Sequence, residues 1–403
     1  MFKKTLLILG LGQLYGHHSI NQIMSACARS SSSWWHKMKK LSFGAIERGI
    51  NALLVGALKE ELLRLGHQSD STWSRSEVTM VIDGSIFRQW LKEGDDSGHW
   101  GKYFSGQFGC GVPGFRVVLC GMVIKGIFYP FCLKLGAKNQ QESAIACGLF
   151  KQAHGHLAAW ESKYDLNFPN LYLSVDNGFE SLELYQCCEA LRPKLCIHPI
   201  FVPRKNASVM FNGSSVRIEE MMAHFEVLEA EYLKTRTDAD KKSEAKPFTC
   251  CVKVWCKKID AEVVILFFRL AKSKKVSVIY TTDLNIKVKT LRRRWFQRTQ
   301  IEQFFRLIKD TLKIQQSKSS DKEGFEQKIF YFVFIALQCQ KFRNYCRKSC
   351  RAIREWGLVR IREFIISHAI GVDDFKQAVE GVLTHFAAKN KHKSLKYKKL
   401  EQI

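Results

Sequence analysis

The chain has 403 residues, 46% of them hydrophobic and only 7 of them proline, and this composition excludes a largely disordered protein. Its formal net charge is +25, because 63 lysine and arginine residues stand against 38 acidic ones. Such an excess favours a polyanionic partner, above all nucleic acid, although excess charge also serves solubility alone. The length predicts two or three domains.

The first 75 residues are interpreted as a small helical unit whose basic content suits DNA. The apolar spacing over residues 42–65 predicts a helix. Residues 1–12 have the lysines and short apolar run of a signal sequence, but polar residues separate them from the cleavage-like box at 24–27, so an ordinary helix or strand is favoured. No stretch reaches the 18 or so apolar residues that a membrane helix needs, so no membrane partner is expected.

From residue 78 the pattern becomes that of an α/β domain, interpreted as the first part of a catalytic core over residues 76–202. Strands are predicted at 78–82, 115–125, 127–135, 171–175 and 195–202, and helices at 140–163 and 180–191. This order predicts a mixed sheet flanked by helices.

Residues 203–285 are interpreted as an inserted, β-rich subdomain. A helix is predicted at 216–233, and strands at 248–255, 262–269 and 276–280. The second part of the core would follow at 286–345, with an apolar helix at 325–344. Residues 346–403 form a basic C-terminal region that ends in a lysine-rich tail, which adds to the attraction for a polyanion.

The 14 cysteines include no CxxC pair of the kind that zinc ribbons and redox dithiols use. Most of those in apolar runs are interpreted as small buried hydrophobic residues. This cysteine usage indicates a reducing compartment.

Two aspartates follow predicted strands and are candidate metal ligands. Asp83 comes after 78–82 and Asp176 after 171–175, and ligands gather at the carboxyl ends of sheet strands. The alternative is that each aspartate merely forms a turn with the small or polar residue that follows it.

A predicted helix from Trp295 to Lys309 presents a third acid between two cations. On an ideal helix Trp295, Arg298, Glu302 and Lys309 fall within an arc of about 60° beside an apolar stripe. Arg298 and Glu302 alone would be an ordinary i,i+4 pair on a solvated face. Together with Asp83 and Asp176, however, Glu302 completes a set of hard oxygen ligands of the kind that magnesium or manganese prefers.

These features together resemble the ribonuclease H-like DDE transposases. The spacing of Trp295, Arg298, Glu302 and Lys309 is similar to the Y-R-E-K signature of the insertion sequence four type. Further likeness lies in Ile-Asp-Gly-Ser around Asp83, in Ser-Val-Asp-Asn-Gly-Phe around Asp176 and in Thr-Asp-Leu at 282–284. The resemblance covers about residues 78–345.

The resemblance implies a role for each matching residue. Asp83, Asp176 and Glu302 would hold two Mg2+ or Mn2+ ions, and Arg298 and Lys309 would bind the phosphates of the DNA ends. The signature tyrosine is Trp295 here, which lacks a hydroxyl but can stack on a sugar or base.

The resemblance also implies partners and a setting for the protein. These are terminal inverted repeats and target DNA, a homodimer on DNA, and the bacterial cytoplasm near the nucleoid. An aromatic residue of the β-rich block would support a flipped base; Trp255 is the candidate, although core packing is the favoured reading.

Other residues near the motifs have plainer expectations. Arg294, with its two arginine neighbours, would follow the phosphate backbone, or would lie on a solvated face. Asp283 is expected to cap a helix rather than bind a metal. Glu142 and His198 could approach the site, but a satisfied surface or core role is favoured for each.

The expected activity is metal-dependent hydrolysis of a phosphodiester followed by strand transfer, in cut-and-paste transposition. Two alternatives stay open. One is a DNA-binding protein that has lost catalysis, favoured by Trp295 at the tyrosine position. The other is a ribonuclease H-type nuclease acting on hybrids, for which the β-rich block and basic tail are unnecessary.

Overall fold

A computed structural model describes residues 43–66, 78–89, 98–105, 109–166, 168, 171–234, 248–269, 275–312, 314–316 and 322–349. The predictions for the signal-like start and for the lysine-rich tail lie outside these residues.

The described chain consists of runs of strands separated by helices. The strands are β1 (Thr79–Arg88), β2 (Trp100–Ser105), β3 (Cys110–Ile124), β4 (Ile127–Gly136), β5 (Leu171–Val175), β6 (Ile197–Phe201), β7 (Ser208–Phe211), β8 (Ser214–Arg217), β9 (Thr249–Cys256), β10 (Ala261–Arg269) and β11 (Val276–Thr281). The α-helices are α1 (Phe43–Gly66), α2 (Glu142–Tyr164), α3 (Leu182–Leu191), α4 (Ile218–Lys234), α5 (Val288–Phe296), α6 (Thr299–Arg306) and α7 (Lys322–Ser349). None of these helices is long and apolar enough to cross a membrane.

The strands form one open, mixed sheet, as predicted. Its order is β2-β3-β1-β5-β6-β11-β10-β9-β7-β8, with β4 paired to β3. The pairs β1–β5 and β5–β6 are parallel, whereas β6–β11, β11–β10 and β10–β9 are antiparallel. The strands of residues 203–285 therefore continue the sheet that begins with β1, β5 and β6.

Burial explains why the central elements form where they do. All five residues of β5 are buried, four of them apolar, as in a strand covered on both faces. In α2 the buried residues include Ile145, Leu149, Ala153 and Leu157, which recur at helical spacing. Asp165 ends α2 in the left-handed region with φ of 50°.

The chain divides into two compact units. Unit 1 contains the described residues of Met1–Leu54, Phe87–Gly114 and Gln303–Ile403, and unit 2 those of Val55–Ile86 and Phe115–Glu302. In unit 1, Phe87 packs against Phe305 and Phe325, with ring centroids 6.0 and 6.2 Å away.

In unit 2, a cluster of buried side chains from the sheet seats helix α5. Leu291 belongs to this cluster, and Trp295 and Phe296 pack against it. The cluster therefore fixes the position from which the chain enters the segment of Arg298 and Glu302.

Candidate active site

The parallel pairing of β1 and β5 brings the two aspartates together. Ile82 lies opposite Val175, and the next residues along the two strands are Asp83 and Asp176. Strand β1 does not end there, however, but continues to Arg88. The prediction that a strand ends before Asp83 is therefore wrong, as is the alternative that Asp83 forms a turn. Its Oδ1 accepts a hydrogen bond of 2.8 Å from the amide of Gly84.

Asp176 lies directly after β5, as predicted. It precedes a 3-10 turn over Asn177–Phe179, in which the amide of Phe179 donates to the Asp176 carbonyl at 3.0 Å. The Asp176 side chain makes no capping hydrogen bond and is 45% exposed. The turn thus uses the backbone of Asp176 and leaves its carboxylate open to a ligand.

The segment that carries Arg298 and Glu302 is a broken helix rather than the continuous one predicted. Helix α5 ends at Phe296, and α6 begins at Thr299. The amides of Arg298 and Ile301 still donate to the carbonyls three residues earlier, at 3.1 Å each. This tight connection places Glu302 in the first turn of α6, where the helix dipole favours a carboxylate.

Arg298 joins two of the three acids. Its Nη2 lies 2.8 Å from Oε1 of Glu302, and its Nη1 lies 3.7 Å from Oδ2 of Asp176. The guanidinium also lies 5.7 Å from the centroid of the Trp295 ring, at cation–π distance. Because Arg298 also reaches Asp176, it is more than the ordinary i,i+4 partner of Glu302.

The pKa of Asp83 responds to its surroundings in the cluster. Protein surrounds its carboxyl group, and this burial raises its pKa from 3.8 to about 7. Arg298 and the amide of Gly84 act in the opposite direction, while Asp176 and Glu302 repel the ionised form and raise the pKa further. The three acids are thus near enough to interact electrostatically.

The three acids offer the carboxylate oxygens that Mg2+ and Mn2+ prefer, but they are not arranged as the ligands of a metal ion. Among the described residues, no three His, Cys, Asp or Glu side chains are grouped so that they would hold a metal ion as they stand. The positive charge that the acids require comes from the guanidinium of Arg298. Three carboxylates are suitable ligands for magnesium or manganese, provided that the Arg298 guanidinium moves away from Asp176 and Glu302.

Arg294, one of the residues predicted to contact DNA, lies differently from that prediction, whereas DNA contact by Trp295 stays a prediction. Arg294 is buried, and its Nη1 donates to the carbonyl of Val78 at 2.8 Å. This corrects the expectation that Arg294 follows a phosphate backbone. Trp295 packs edge-on against Phe268 at 5.7 Å between centroids, and no described group accepts from its indole N–H. In the structure, the Trp295 ring lies against the Arg298 guanidinium and supports it.

Lys309 belongs to unit 1, where it lies in a π-helical segment over Leu307–Thr311. The amide of Leu312 donates to the carbonyl of Leu307 at 2.9 Å, the i to i+5 pattern of a π-turn. The Lys309 ammonium lies 5.1 Å from the centroid of the Phe87 ring. Its binding of a DNA phosphate stays a prediction.

Trp255 is 46% exposed on β9, which makes the favoured core-packing interpretation wrong. Its neighbours Val254 and Cys256 are buried, while Lys253 and Lys257 are exposed with it. We call Lys253 and Trp255 of β9, together with Lys257 in the turn directly after it, the β9 outer face. It combines an aromatic ring with two cations, as surfaces that bind single-stranded nucleic acid do.

Asp283 does not cap a helix, since Lys287 occupies the cap position of α5. Its Oδ1 accepts from the amide of Asn285 at 3.1 Å, and its Oδ2 accepts from the Tyr172 hydroxyl at 2.7 Å. His198 is buried and stacks on Tyr172, as expected of a core residue.

Glu142 lies nearer to the aspartates than the sequence suggested. A Cβ atom added to Gly178 would lie 3.3 Å from Glu142 Oε2, and one added to Gly84 would lie 3.7 Å from its Oε1. Each glycine is within two residues of a candidate aspartate. The signal in the sequence was the position of Glu142 at the start of α2.

Comparison with known proteins adds no relative. No protein-family model matches the chain, and no curated protein sequence matches it either. The function must therefore be argued from the residues and their geometry.

Proposed function

We propose that the chain is a DDE transposase with a ribonuclease H-like core, which cuts the inverted-repeat ends of a mobile element and joins them to target DNA. The observation that carries this proposal is the meeting of Asp83, Asp176 and Glu302 around Arg298, which contacts the last two at 3.7 and 2.8 Å. A mixed sheet with parallel β1, β5 and β6 is compatible with that core.

In this proposal Asp83, Asp176 and Glu302 hold two magnesium or manganese ions. When bound, the ions supply the positive charge that a phosphodiester needs at its attacking and leaving oxygens. Arg298 exchanges its carboxylate partners for a phosphate of the DNA end, which a guanidinium can bind through two parallel hydrogen bonds. The Trp295 ring keeps the guanidinium oriented during this exchange.

The β9 outer face binds the DNA strand near the cut. An unpaired base stacks on Trp255, and Lys253 and Lys257 attract the adjoining phosphates. The net charge of +25 supports a polyanionic partner in general, and the exposed indole supports contact with an unpaired base in particular.

The test uses the purified full chain, Mg2+ and a DNA fragment that spans the coding region with its flanks. We expect breaks with free 3' hydroxyls at inverted repeats, joined products with a target plasmid, and loss of both with EDTA. Asp83→Asn and Glu302→Gln should abolish cleavage but retain DNA binding. Glu231→Gln, an exposed change on α4, is the matched control. Full cleavage by Asp83→Asn, or no cleavage by the wild type, would overturn the proposal.

A second candidate is a DNA-binding protein that has lost catalysis. Two observations favour it: among the described residues no metal-holding group stands ready, and an indole takes the place of the signature hydroxyl at Trp295. Binding to the ends without cleavage, unchanged by Mg2+, would support it. The mass of the DNA complex in the same experiment tests the expected dimer.

A further inference from the structure

An ion pair with a buried carboxylate lies close along the chain to the second aspartate. The side chain of Glu180, four residues after Asp176, is only 1% exposed. Its Oε2 lies 2.7 Å from Nζ of Lys258, and its Oε1 accepts from the Tyr280 hydroxyl at 2.8 Å. The same ammonium donates to the Glu180 backbone carbonyl at 2.9 Å. A buried carboxylate is costly unless it is paired in this way.

Both partners of Glu180 come from the β-rich block. Lys258 lies in the turn between β9 and β10, and Tyr280 lies in β11. The turn is tight, because the amide of Ile259 donates to the Cys256 carbonyl at 3.3 Å and Asp260 has a φ of 52°. The ammonium of Lys258 therefore starts from a fixed backbone position.

The chain between Glu180 and Asp176 is equally constrained. The Glu180 amide donates to the Asn177 carbonyl at 3.3 Å, and the buried Phe179 donates to the Asp176 carbonyl at 3.0 Å. On the other side, Ser181 accepts from the Leu184 amide at 3.1 Å and caps α3. A displacement of Glu180 would thus be passed to Asp176, whose own side chain makes no capping hydrogen bond.

We propose that Glu180 and Lys258 are positioning residues, whose ion pair lets the β9–β10 turn set the place of Asp176. The catalytic consequence rests on the proposed function, whereas the structural link does not. A misplacement of about 1 Å lowers a rate on the order of 100-fold. Loss of the link should therefore reduce kcat by about that factor and leave the KM for DNA within about twofold.

The first experiment measures amide hydrogen exchange over residues 176–181 in the metal-free, DNA-free protein. Lys258→Met should speed exchange there at least fivefold, and Lys258→Arg should restore protection. The matched control is Lys257→Met, because that ammonium donates to the Ser215 hydroxyl at 2.8 Å and lies outside the link. Unchanged exchange in Lys258→Met, or an equal rise in the control, would overturn the inference.

If Lys258→Met fails to fold, Glu180→Gln decides, since the amide keeps the shape and an acceptor for Tyr280. Faster exchange confined to 176–181 supports the link, and unchanged exchange overturns it. The second experiment is single-turnover cleavage with Mg2+, in which Lys258→Arg should rescue kcat. If the wild type cleaves no DNA, the proposed function fails, while the exchange result still decides whether the ion pair holds residues 176–181 in place. If the wild type cleaves DNA and Lys258→Met keeps the full kcat, the positioning role fails.

Discussion

Asp83→Asn should make the metal-free protein more stable in alkaline solution, although it removes a candidate catalytic residue. Burial raises the pKa of Asp83 from 3.8 to about 7, with repulsion by Asp176 and Glu302 adding to the rise. One pKa unit corresponds to about 1.4 kcal/mol. The folded protein therefore loses roughly 4 kcal/mol when it must keep this carboxylate ionised. Asparagine keeps the shape and can still accept from the Gly84 amide.

The sign of the pH dependence follows from the direction of this shift. Between about pH 4 and pH 7 the unfolded chain has released the Asp83 proton while the folded chain retains it, so the free energy of unfolding falls as the pH rises. Below this window the carboxyl group is protonated in both states, and above it the penalty is complete. The stability gained by Asp83→Asn should grow from near zero at pH 4 to at most about 4 kcal/mol at pH 8.

Urea unfolding in EDTA at several pH values measures this difference. Asp165→Asn is the control, because Asp165 is exposed and asparagine accepts its left-handed backbone. Added Mg2+ should narrow the gap at pH 8 by stabilising only the wild type, if the ions bind the ionised form. A variant less stable than the wild type at pH 8 without metal, or a gap independent of pH, would refute the reasoning.

Three further predictions follow from contacts described above. Arg298→Gln should raise the affinity for Mg2+ about tenfold by calorimetry, because it removes the competing cation, whereas Arg298→Lys should change it little; equal affinities in all three proteins would contradict this. Gly114→Ala should lower the free energy of unfolding by about 3 kcal/mol, because its Cβ would lie 2.1 Å from the Phe87 carbonyl oxygen. The control is Gly148→Ala, at a position in α2 where an added Cβ would meet no atom within 4 Å; it should raise the free energy of unfolding by about 0.5–1 kcal/mol. An unchanged free energy of unfolding in Gly114→Ala would refute the close approach of Gly114 to Phe87. Trp255→Ala should weaken binding of single-stranded DNA by about 1–3 kcal/mol in fluorescence anisotropy with no change in stability; a fall in stability would mean that the ring is a core residue after all.

Much of the fold was predictable because burial leaves a periodic trace in the sequence. The strand at 171–175 was placed on its observed bounds, since four apolar residues and one buried serine stand between polar neighbours. The short strands β7 and β8 were missed, because four residues each, mostly polar and exposed in β8, give too little periodicity.

The candidate site was predictable in its acids but not in its backbone. Gly84 after Asp83 suggested a turn, whereas β1 continues to Arg88 beside β3, although its register with β5 ends at Ile82. Helical periodicity at 295–309 did not reveal the break before Thr299 or the π-turn at Leu307. The amphipathic pattern of side chains does not indicate whether a backbone amide donates to the carbonyl three, four or five residues earlier.

Two corrected side chains had a signal that was available in the sequence. Arg294 stands three residues after the buried Leu291 and so faces the same side of α5. Trp255 alternates with Lys253 in a strand whose other face is apolar, and Lys257 continues this alternation just past the end of the strand, which places the indole outward. The ion pair of Glu180 with Lys258 had no such signal, because 78 positions separate the partners.

The junction between β6 and β11 limits how this chain can be shortened by an engineer. Only two residue pairs, Tyr280 with Phe201 and Thr281 with Ile200, are in register there. Excising residues 203–285 would strip β6 of its neighbour and open its amides and carbonyls to strands of other molecules, a route to aggregation. A trimmed version that retains β11 beside β6 should stay monodisperse where the full excision precipitates.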